Sequence, residues 1–278
     1  MRSVFIGGGA MATALISGMV SSGKSAADIK VIDPAEAQRT KLTAAFPQVR
    51  CYERMGSALF ARVDVVVLAV KPQQLQAVAR KLAPFTSTIS AVLSIAAGVR
   101  ADDLSRWLGD YPAVIRAMPN TPAQVGAGCT GVYAAPGANE MARHHVHQML
   151  ESVGNVIWLN RENKLDMVTA LTGSGPAYVF YFLENLQAAA IALGMKDVEA
   201  RTAALSVLSG GLALAQHGDT PFAELRARVT SKGGTTESAI RVLDQAGADK
   251  AIQDAVYAAW QRAVELGNEL SVDQSESM

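Results

Sequence analysis

Val4-Phe5-Ile6-Gly7-Gly8-Gly9-Ala10-Met11-Ala12 decides how this chain is read. It follows the Gly-x-Gly-x-x-Gly/Ala spacing, placed where a short apolar run, Ser3–Ile6, gives way to a helical pattern from Ala10. Gly7 permits the sharp turn, Gly9 lets the backbone approach a pyrophosphate, and Ala12 lets helix and strand pack closely. The free N–H groups at the helix start then favour an anion. An acidic residue, Asp33, closes the second apolar run, Ile29–Ile32, at the distance where such loops place a ribose acceptor. The competing reading is a plain glycine turn; the strand before, the helix after and Asp33 favour a dinucleotide. A carboxylate at Asp33 repels a 2′-phosphate and favours NADH, while Arg39 or Lys41 can offset that repulsion, so NADPH and NADH both stay open.

Outward from this unit, β-rich runs alternate with helical patterns, the signature of βαβ units and a mostly parallel, doubly wound sheet. Further strands are expected at Val49–Tyr52, Val63–Val70, Ile89–Ser94, Ala113–Met118, Thr130–Ala134 and Val156–Leu159, with helices from near Ala35, Gln73, Asp102 and Ala138. The run 64–70 is apolar on both faces, as a central parallel strand must be. Ala69-Val70-Lys71-Pro72 and Ser94-Ile95-Ala96-Ala97-Gly98 end adjacent strands at the edge where α/β folds take ligands, and both are expected to face the cofactor. Arg116-Ala117-Met118-Pro119-Asn120-Thr121-Pro122 reads as a stiff turn. Its Asn120 amide either points into the cleft or satisfies the turn itself.

Composition bounds the rest. A length of 278 residues suggests two domains, and 50% hydrophobic with 18% charged residues is charge-poor against the roughly 25% of average soluble chains. Lys+Arg and Asp+Glu balance at 25 each, which argues against disorder and against nucleic-acid binding. Cys51 and Cys129 have no metal or disulfide spacing, no apolar run is long enough for a membrane span, and Gly7 to Gly9 interrupt the N-terminal run that otherwise imitates a secretory signal. A cytoplasmic location is expected. Through Asn160 there are 15 basic and 10 acidic residues, and beyond it 10 and 15, so a boundary is expected there: domains 1–160 and 161–278.

Beyond Asn160 the strand signals stop. Helices are expected at Glu162–Leu171, Ser174–Leu193, Asp197–Gln216, Phe222–Val229, Thr236–Gln245 and Asp249–Leu270, an all-α domain. The run 176–193 is apolar around most of its circumference, and a second chain is its natural cover, with a buried core helix of a monomer as the alternative. The segment 228–240, Arg-Val-Thr-Ser-Lys-Gly-Gly-Thr-Thr-Glu-Ser-Ala-Ile, puts glycines and four hydroxyls ahead of a helix. Such a loop can turn N–H groups toward an anion; the simpler alternative is capping by Thr235 or Thr236. His144, His145 and His147 look metal-like but fit a solvated helix face, and no metal is expected. Ser21-Ser22-Gly23-Lys24 matches a catalytic pattern by letters alone.

Together these motifs resemble the pyrroline-5-carboxylate reductase family over essentially the whole length. The carriers are Phe5 to Ala12, Ala69 to Pro72, Met118 to Pro122, Thr172-Gly-Ser-Gly-Pro-Ala-Tyr178 and, most specifically, Val229-Thr-Ser-Lys-Gly-Gly-Thr-Thr236 with Ala239-Ile240. The resemblance implies reduction of 1-pyrroline-5-carboxylate to L-proline by NAD(P)H, the last step of proline synthesis. It also implies a Rossmann-like N-terminal domain followed by an all-α dimerisation domain, the substrate in the seam between them, and a homodimer that in some relatives builds a ring of dimers. On this resemblance Ile6, Gly7, Gly8, Gly9, Ala10, Met11, Val70, Lys71 and Ala97 line the cofactor, while Glu162, Thr235 and Thr236 meet the substrate. Because a protonated cyclic imine already accepts hydride well, positioning is needed more than a strong acid. The Thr236 hydroxyl is assigned to the ring nitrogen, and the N–H groups of Gly234 to Thr236, with the Ser231 hydroxyl, to the carboxylate. Two positions depart from the family: Gly56 stands where many relatives carry Asn, and Arg228 where some carry an amide and where an NADPH phosphate is within conceivable reach. A β-hydroxyacid dehydrogenase, the rival enzyme, places a lysine in the glycine-rich helix, which 173–178 lacks. A non-catalytic dinucleotide sensor has no use for the loop 230–236.

Overall fold

The computed structural model describes residues 1–271; the polar tail expected to be unordered lies, from Val272, outside the described residues. Eight strands form one sheet: β1 (Ser3–Ile6), β2 (Ile29–Ile32), β3 (Arg50–Tyr52), β4 (Val63–Leu68), β5 (Ile89–Ser94), β6 (Val114–Met118), β7 (Gly128–Ala134) and β8 (Gly154–Trp158). Their order is β3-β2-β1-β4-β5-β6-β7-β8. All pairings are parallel except β6 with β7. The order reverses between β1 and β4, so the ligand crevice of a doubly wound sheet falls at their C-terminal ends.

Helices α1 (Ala10–Ser21), α2 (Glu36–Ala45), α3 (Pro72–Leu82), α4 (Ala101–Trp107) and α5 (Glu140–Glu151) cover the two faces. Alternation along the strands divides the core accordingly. Phe5, Val65, Val67 and Leu93 pack in one layer with Leu15, Ile16 and Met149, while Val4, Val66, Leu68 and Val92 pack in the other with Leu75 and Leu104. Helix starts follow local chemistry. Pro72 opens α3, where its missing N–H is harmless, and the Asn139 side chain accepts from Ala142 N–H at 2.8 Å to cap α5.

One strand ends earlier than its apolar pattern. β4 stops at Leu68, not Val70, although Ala69 N–H still donates to Ile6 O at 2.8 Å. Past that bond the chain leaves the sheet, because the residue before Pro72 is held extended at the helix boundary (Lys71 φ −62°, ψ 145°).

The second half is helical: α6 (Lys164–Val168), a π-helical turn (Thr169–Gly173), α7 (Gly175–Ala192), α8 (Asp197–Gln216), α9 (Phe222–Arg228), α10 (Thr235–Gln245) and α11 (Ala248–Ser271). The compact units divide differently from the expected break at Asn160. Unit one runs from Met1 to Ser174 and resumes at Ala259, and unit two is Gly175–Ala258. The reason is polar bonding: Arg116 to Glu162, Arg100 to Asp166 and Asn120 to Thr172 O tie 162–172 to the sheet domain despite its helical composition. In unit two, α7 and α8 pack on each other, yet no residue of α7 is buried within the chain. Phe180 and Tyr181 are 66% and 71% exposed, so the apolar circumference read from the sequence stays bare in one subunit.

Candidate active site

The glycine loop is built by its neighbours. Gly7 has φ +96°, and a Cβ there would lie 2.5 Å from the carbonyl oxygen of Ala69, so only glycine serves both turn and close approach. Gly8 N–H donates to Asp33 Oδ2 at 2.8 Å, and Gly8 O accepts from Gln38 Nε2 and from Thr13 Oγ1. Asp33 Oδ1 accepts from Ala35 N–H at 2.9 Å, and Arg39 Nη1 donates to the carbonyls of Asp33 and Pro34. Asp33 thus braces the loop as well as lining the cleft. Gly9 caps α1 in extended geometry with no side-chain cap and no atom within 4 Å of where its Cβ would be. Nothing inside the protein requires glycine at that position, whereas a pyrophosphate does.

The loop opens on a cavity of about 1070 Å³ lined by Ile6, Gly7, Gly9, Asp33, Val70 and Lys71 among others. These six coincide with expected cofactor residues. Gly8 faces Leu42 and Gln38, Met11 packs against the core, and neither these two nor Ala10 and Ala97 line the cavity. The cavity also includes Arg54, Met55, Lys81 and Phe85, which the sequence reading did not single out. The signal available for Arg54 was its place two residues past β3, on the ligand edge of the same sheet. It sits beside Glu53 at 3.0 Å and is 87% exposed. Gly56 starts a short 3₁₀ turn nearby.

Asn120, expected at the cofactor, does not line this cavity. Its amide is spent within unit one, Nδ2 donating to Thr172 O and Oδ1 accepting from Cys129 N–H, both at 2.9 Å, and the residue is buried. The π-helical turn positions that carbonyl for it. Glu162 is engaged through one oxygen: its Oε1 accepts from Arg116 Nη1 and from Ala101 N–H, each at 2.6 Å. Burial pulls the Arg116 guanidinium down from its ordinary value and Glu162 opposes that pull.

In the loop ahead of α10, Thr230 Oγ1 donates to Arg226 O at 2.7 Å, while the hydroxyls of Thr235 and Thr236 cap no helix. Gly234, not a threonine, is the N-cap, and it makes no side-chain cap bond. Glu237 instead reaches back to the loop, its Oε2 accepting from Gly233 N–H at 2.7 Å. Capping therefore does not account for Thr235 and Thr236. The expected carboxylate-binding role of the Gly234 N–H is corrected: it donates to Ser231 O at 3.0 Å, closing the turn. The N–H groups of Thr235 and Thr236 are first-turn donors with no intrahelical acceptor. Arg228 pairs with Glu224 at 2.7 Å on an exposed helix face. His147 accepts from Trp158 Nε1 at 3.3 Å and lies 3.8 Å from Glu151. No described helix is long and apolar enough to cross a membrane.

Comparison with known proteins matches the two halves of the chain to different family models. Residues 162–266 match a family model described as pyrroline-5-carboxylate reductase dimerisation, and residues 2–98 one described as NADP oxidoreductase coenzyme F420-dependent. The pyrroline-5-carboxylate reductase of Pseudomonas aeruginosa is 39% identical over 269 residues, 97% of this chain and 98% of that one. That of Vibrio alginolyticus is 36% identical over 266 residues, 95% and 97% of the two chains. Among solved structures, a pyrroline-5-carboxylate reductase from Coxiella burnetii superposes with a TM-score of 0.89 at 34% identity, covering 95% of this chain and 98% of that one. Pyrroline carboxylate reductase of Plasmodium falciparum with NADP bound shares the fold, with a TM-score of 0.85 at 24% identity over 96% and 98% of the chains.

Proposed function

The chain belongs to the pyrroline-5-carboxylate reductase family, and we infer from this that it reduces 1-pyrroline-5-carboxylate to L-proline with NAD(P)H, the last step of proline biosynthesis. NAD(P)H, when bound, supplies the hydride. Gly7 to Gly9 and the start of α1 hold its pyrophosphate, while Ile6, Asp33, Val70 and Lys71 line its path. The substrate carboxylate is held by the N–H groups of Thr235 and Thr236 with the Ser231 hydroxyl. The Thr236 hydroxyl bonds the ring nitrogen, onto which the C=N electron pair moves as C2 of the pyrroline, which becomes C5 of proline, takes the hydride. A group that orients the imine and steadies that nitrogen is sufficient, because the protonated ring is already electrophilic.

The observation that carries this reading is the loop 230–236. Its Thr235 and Thr236 hydroxyls are not used to cap the helix they begin. The unburied faces of α7, with the match of 162–266 to a dimerisation model, support a homodimer. We place the reaction in the cytoplasm, consistent with the free thiols of Cys51 and Cys129. Oxidation of NADPH or NADH on adding synthetic 1-pyrroline-5-carboxylate tests the activity, and absence of turnover by folded protein refutes it. Light scattering of the same sample distinguishes a dimer from a ring of dimers.

A further inference from the structure

Three successive glycines do not fix their own peptide planes, so the turn from β1 into α1 is held from outside. Gly7 is set by its φ of +96° and by the Ala69 carbonyl beside it. The peptides that follow are held by a short arm, residues 33–39, running from the end of β2 into α2. Asp33 Oδ2 accepts the Gly8 N–H at 2.8 Å, and Gln38 Nε2 donates to Gly8 O. The arm is itself fixed: Asp33 Oδ1 accepts from Ala35 N–H at 2.9 Å, and Arg39 Nη1 donates to Asp33 O and Pro34 O at 2.9 and 2.8 Å.

The bond to Gly8 O sets the direction of a donor. No peptide bond among the described residues is cis, so the C=O and N–H of the Gly8–Gly9 peptide point opposite ways. With Gly8 O turned to Gln38, the Gly9 N–H is turned away from α2. Gly9 lines the cavity, whereas Gly8 is buried and does not. The Gly9 N–H meets no acceptor among the described residues.

Gln38 is the principal holder of this peptide. Thr13 Oγ1 lies 3.2 Å from Gly8 O but 3.0 Å from Gly9 O, and a hydroxyl has a single proton to give. Helix α2 also presses on the loop directly, since a Cβ at Gly8 would meet Leu42 Cδ1 at 2.6 Å and Gln38 Cγ at 3.3 Å.

We propose that Gln38 is a positioning residue for the cofactor: its side-chain amide holds the Gly8–Gly9 peptide so that the Gly9 N–H is presented to the pyrophosphate of NAD(P)H. This rests on the reading of the glycine loop as the pyrophosphate site. Gln38 is not among the cavity residues and touches no cofactor atom in this scheme. The arm serves the cofactor twice, because Asp33 and Pro34 line the cavity themselves.

The test uses Gln38→Met and Gln38→Glu, both close to glutamine in length and neither, with the carboxylate ionised, able to donate to a carbonyl. Fluorescence titration gives the NADPH Kd, displacement of NADPH gives those of ADP, which carries a pyrophosphate, and adenosine, which carries none, and thermal unfolding gives Tm. In both variants the Kd of NADPH and of ADP is expected to rise about 10-fold, the scale of one weakened hydrogen bond to a charged group. The adenosine Kd stays within about threefold of the parent and Tm within about 3 °C. With 1-pyrroline-5-carboxylate as substrate the loss falls on the KM for NADPH and leaves kcat, because the pyrophosphate takes no part in hydride transfer. An ADP Kd within about threefold of the parent in Gln38→Met overturns the proposal. So does equal weakening of ADP and adenosine in both variants with a fall in Tm, which shows a loop that has merely loosened. The binding measurements need no turnover: a parent that binds NADPH and ADP but leaves 1-pyrroline-5-carboxylate unreduced sinks the reductase reading, while Gln38 is still judged by the Kd of ADP.

Discussion

Replacing Gly9 by alanine separates the needs of the fold from those of the ligand. In the structure Gly9 has φ −62° and ψ −175°, ordinary for alanine, and its Cβ direction is empty to 4 Å. Alanine is a weaker N-cap than glycine by about 0.5–1 kcal/mol, and it restricts the unfolded chain by a similar amount in the opposite sense. The two offset, so Tm is expected to move by less than about 3 °C. The new methyl occupies the space a pyrophosphate approaches and displaces it from the loop N–H groups. Losing one charge-assisted hydrogen bond, about 1.5–3 kcal/mol, raises the NADPH Kd roughly 10- to 100-fold. Fluorescence titration of NADPH reads the affinity and thermal unfolding reads the fold. A folded Gly9→Ala protein with Kd within about threefold of the parent refutes the assignment of this loop to the pyrophosphate.

Gly7→Ala is the internal control, because its pattern is the reverse. At φ +96° an L-residue is strained by about 1–2 kcal/mol, and a Cβ 2.5 Å from Ala69 O and 2.9 Å from Ala69 C meets backbone that cannot step aside, adding roughly 1–3 kcal/mol. A Tm drop of about 5–15 °C is expected before any cofactor is added.

Thr236→Val keeps shape and removes the hydroxyl; kcat/KM is expected to fall about 10- to 100-fold with the fold intact, and a change of only a few-fold removes Thr236 from the chemistry. Arg54 lines the cofactor cavity while both oxygens of Asp33 are bonded to backbone N–H groups, so Arg54→Ala is expected to raise the KM for NADPH about fivefold and leave that for NADH unchanged; equal changes refute a role at the 2′-phosphate. Burial pushes the Tyr111 phenol up to about 12 while its hydroxyl donates to Ile89 O at 2.8 Å. The native state therefore holds this proton more tightly, and stability is intact below the unfolded value of about 10 and is lost as pH rises toward 12. Tm of Tyr111→Phe is expected to decline less than that of the parent between about pH 9 and pH 11, and parallel declines refute the assignment.

Much of the fold was legible because period-two burial, glycine turns and prolines act locally. β1, β2 and β5 begin and end where the apolar runs do. The run 63–70 misled at its end for an instructive reason: Ala69 and Val70 are apolar because they line a cavity, not because they are in the sheet. The bonds of Asn120 and Glu162 were not legible because residue type does not show a partner. The groups that engage them, Thr172 O, Cys129 N–H, Arg116 Nη1 and Ala101 N–H, are up to 61 residues distant in sequence. Arg54 is one exposed cation among many, with no local signature beyond its position after a strand. The helical reading of 161–174 was correct in kind, but composition carries no record of the charged bonds that draw this segment onto the sheet domain.

The features most informative about function are those that folding leaves unexplained. Gly7 is glycine because the chain itself forbids a Cβ there, and it would be glycine in a protein that bound nothing. Gly9 has no such constraint, Thr235 and Thr236 carry hydroxyls that cap no helix, and α7 presents Phe180 and Tyr181 to solvent. A chain selected only to fold alone would place a capping side chain at the first, has no need of hydroxyls at the second, and would place charges on the third. On the function proposed above, each departure has a different occupant: an anion at the glycine loop, a carboxylate and ring nitrogen at the threonines, a second subunit on α7. The charge deficit of the sequence belongs to the third of these, because the helix that stays bare in one subunit is the helix with almost no charged residue to solvate it.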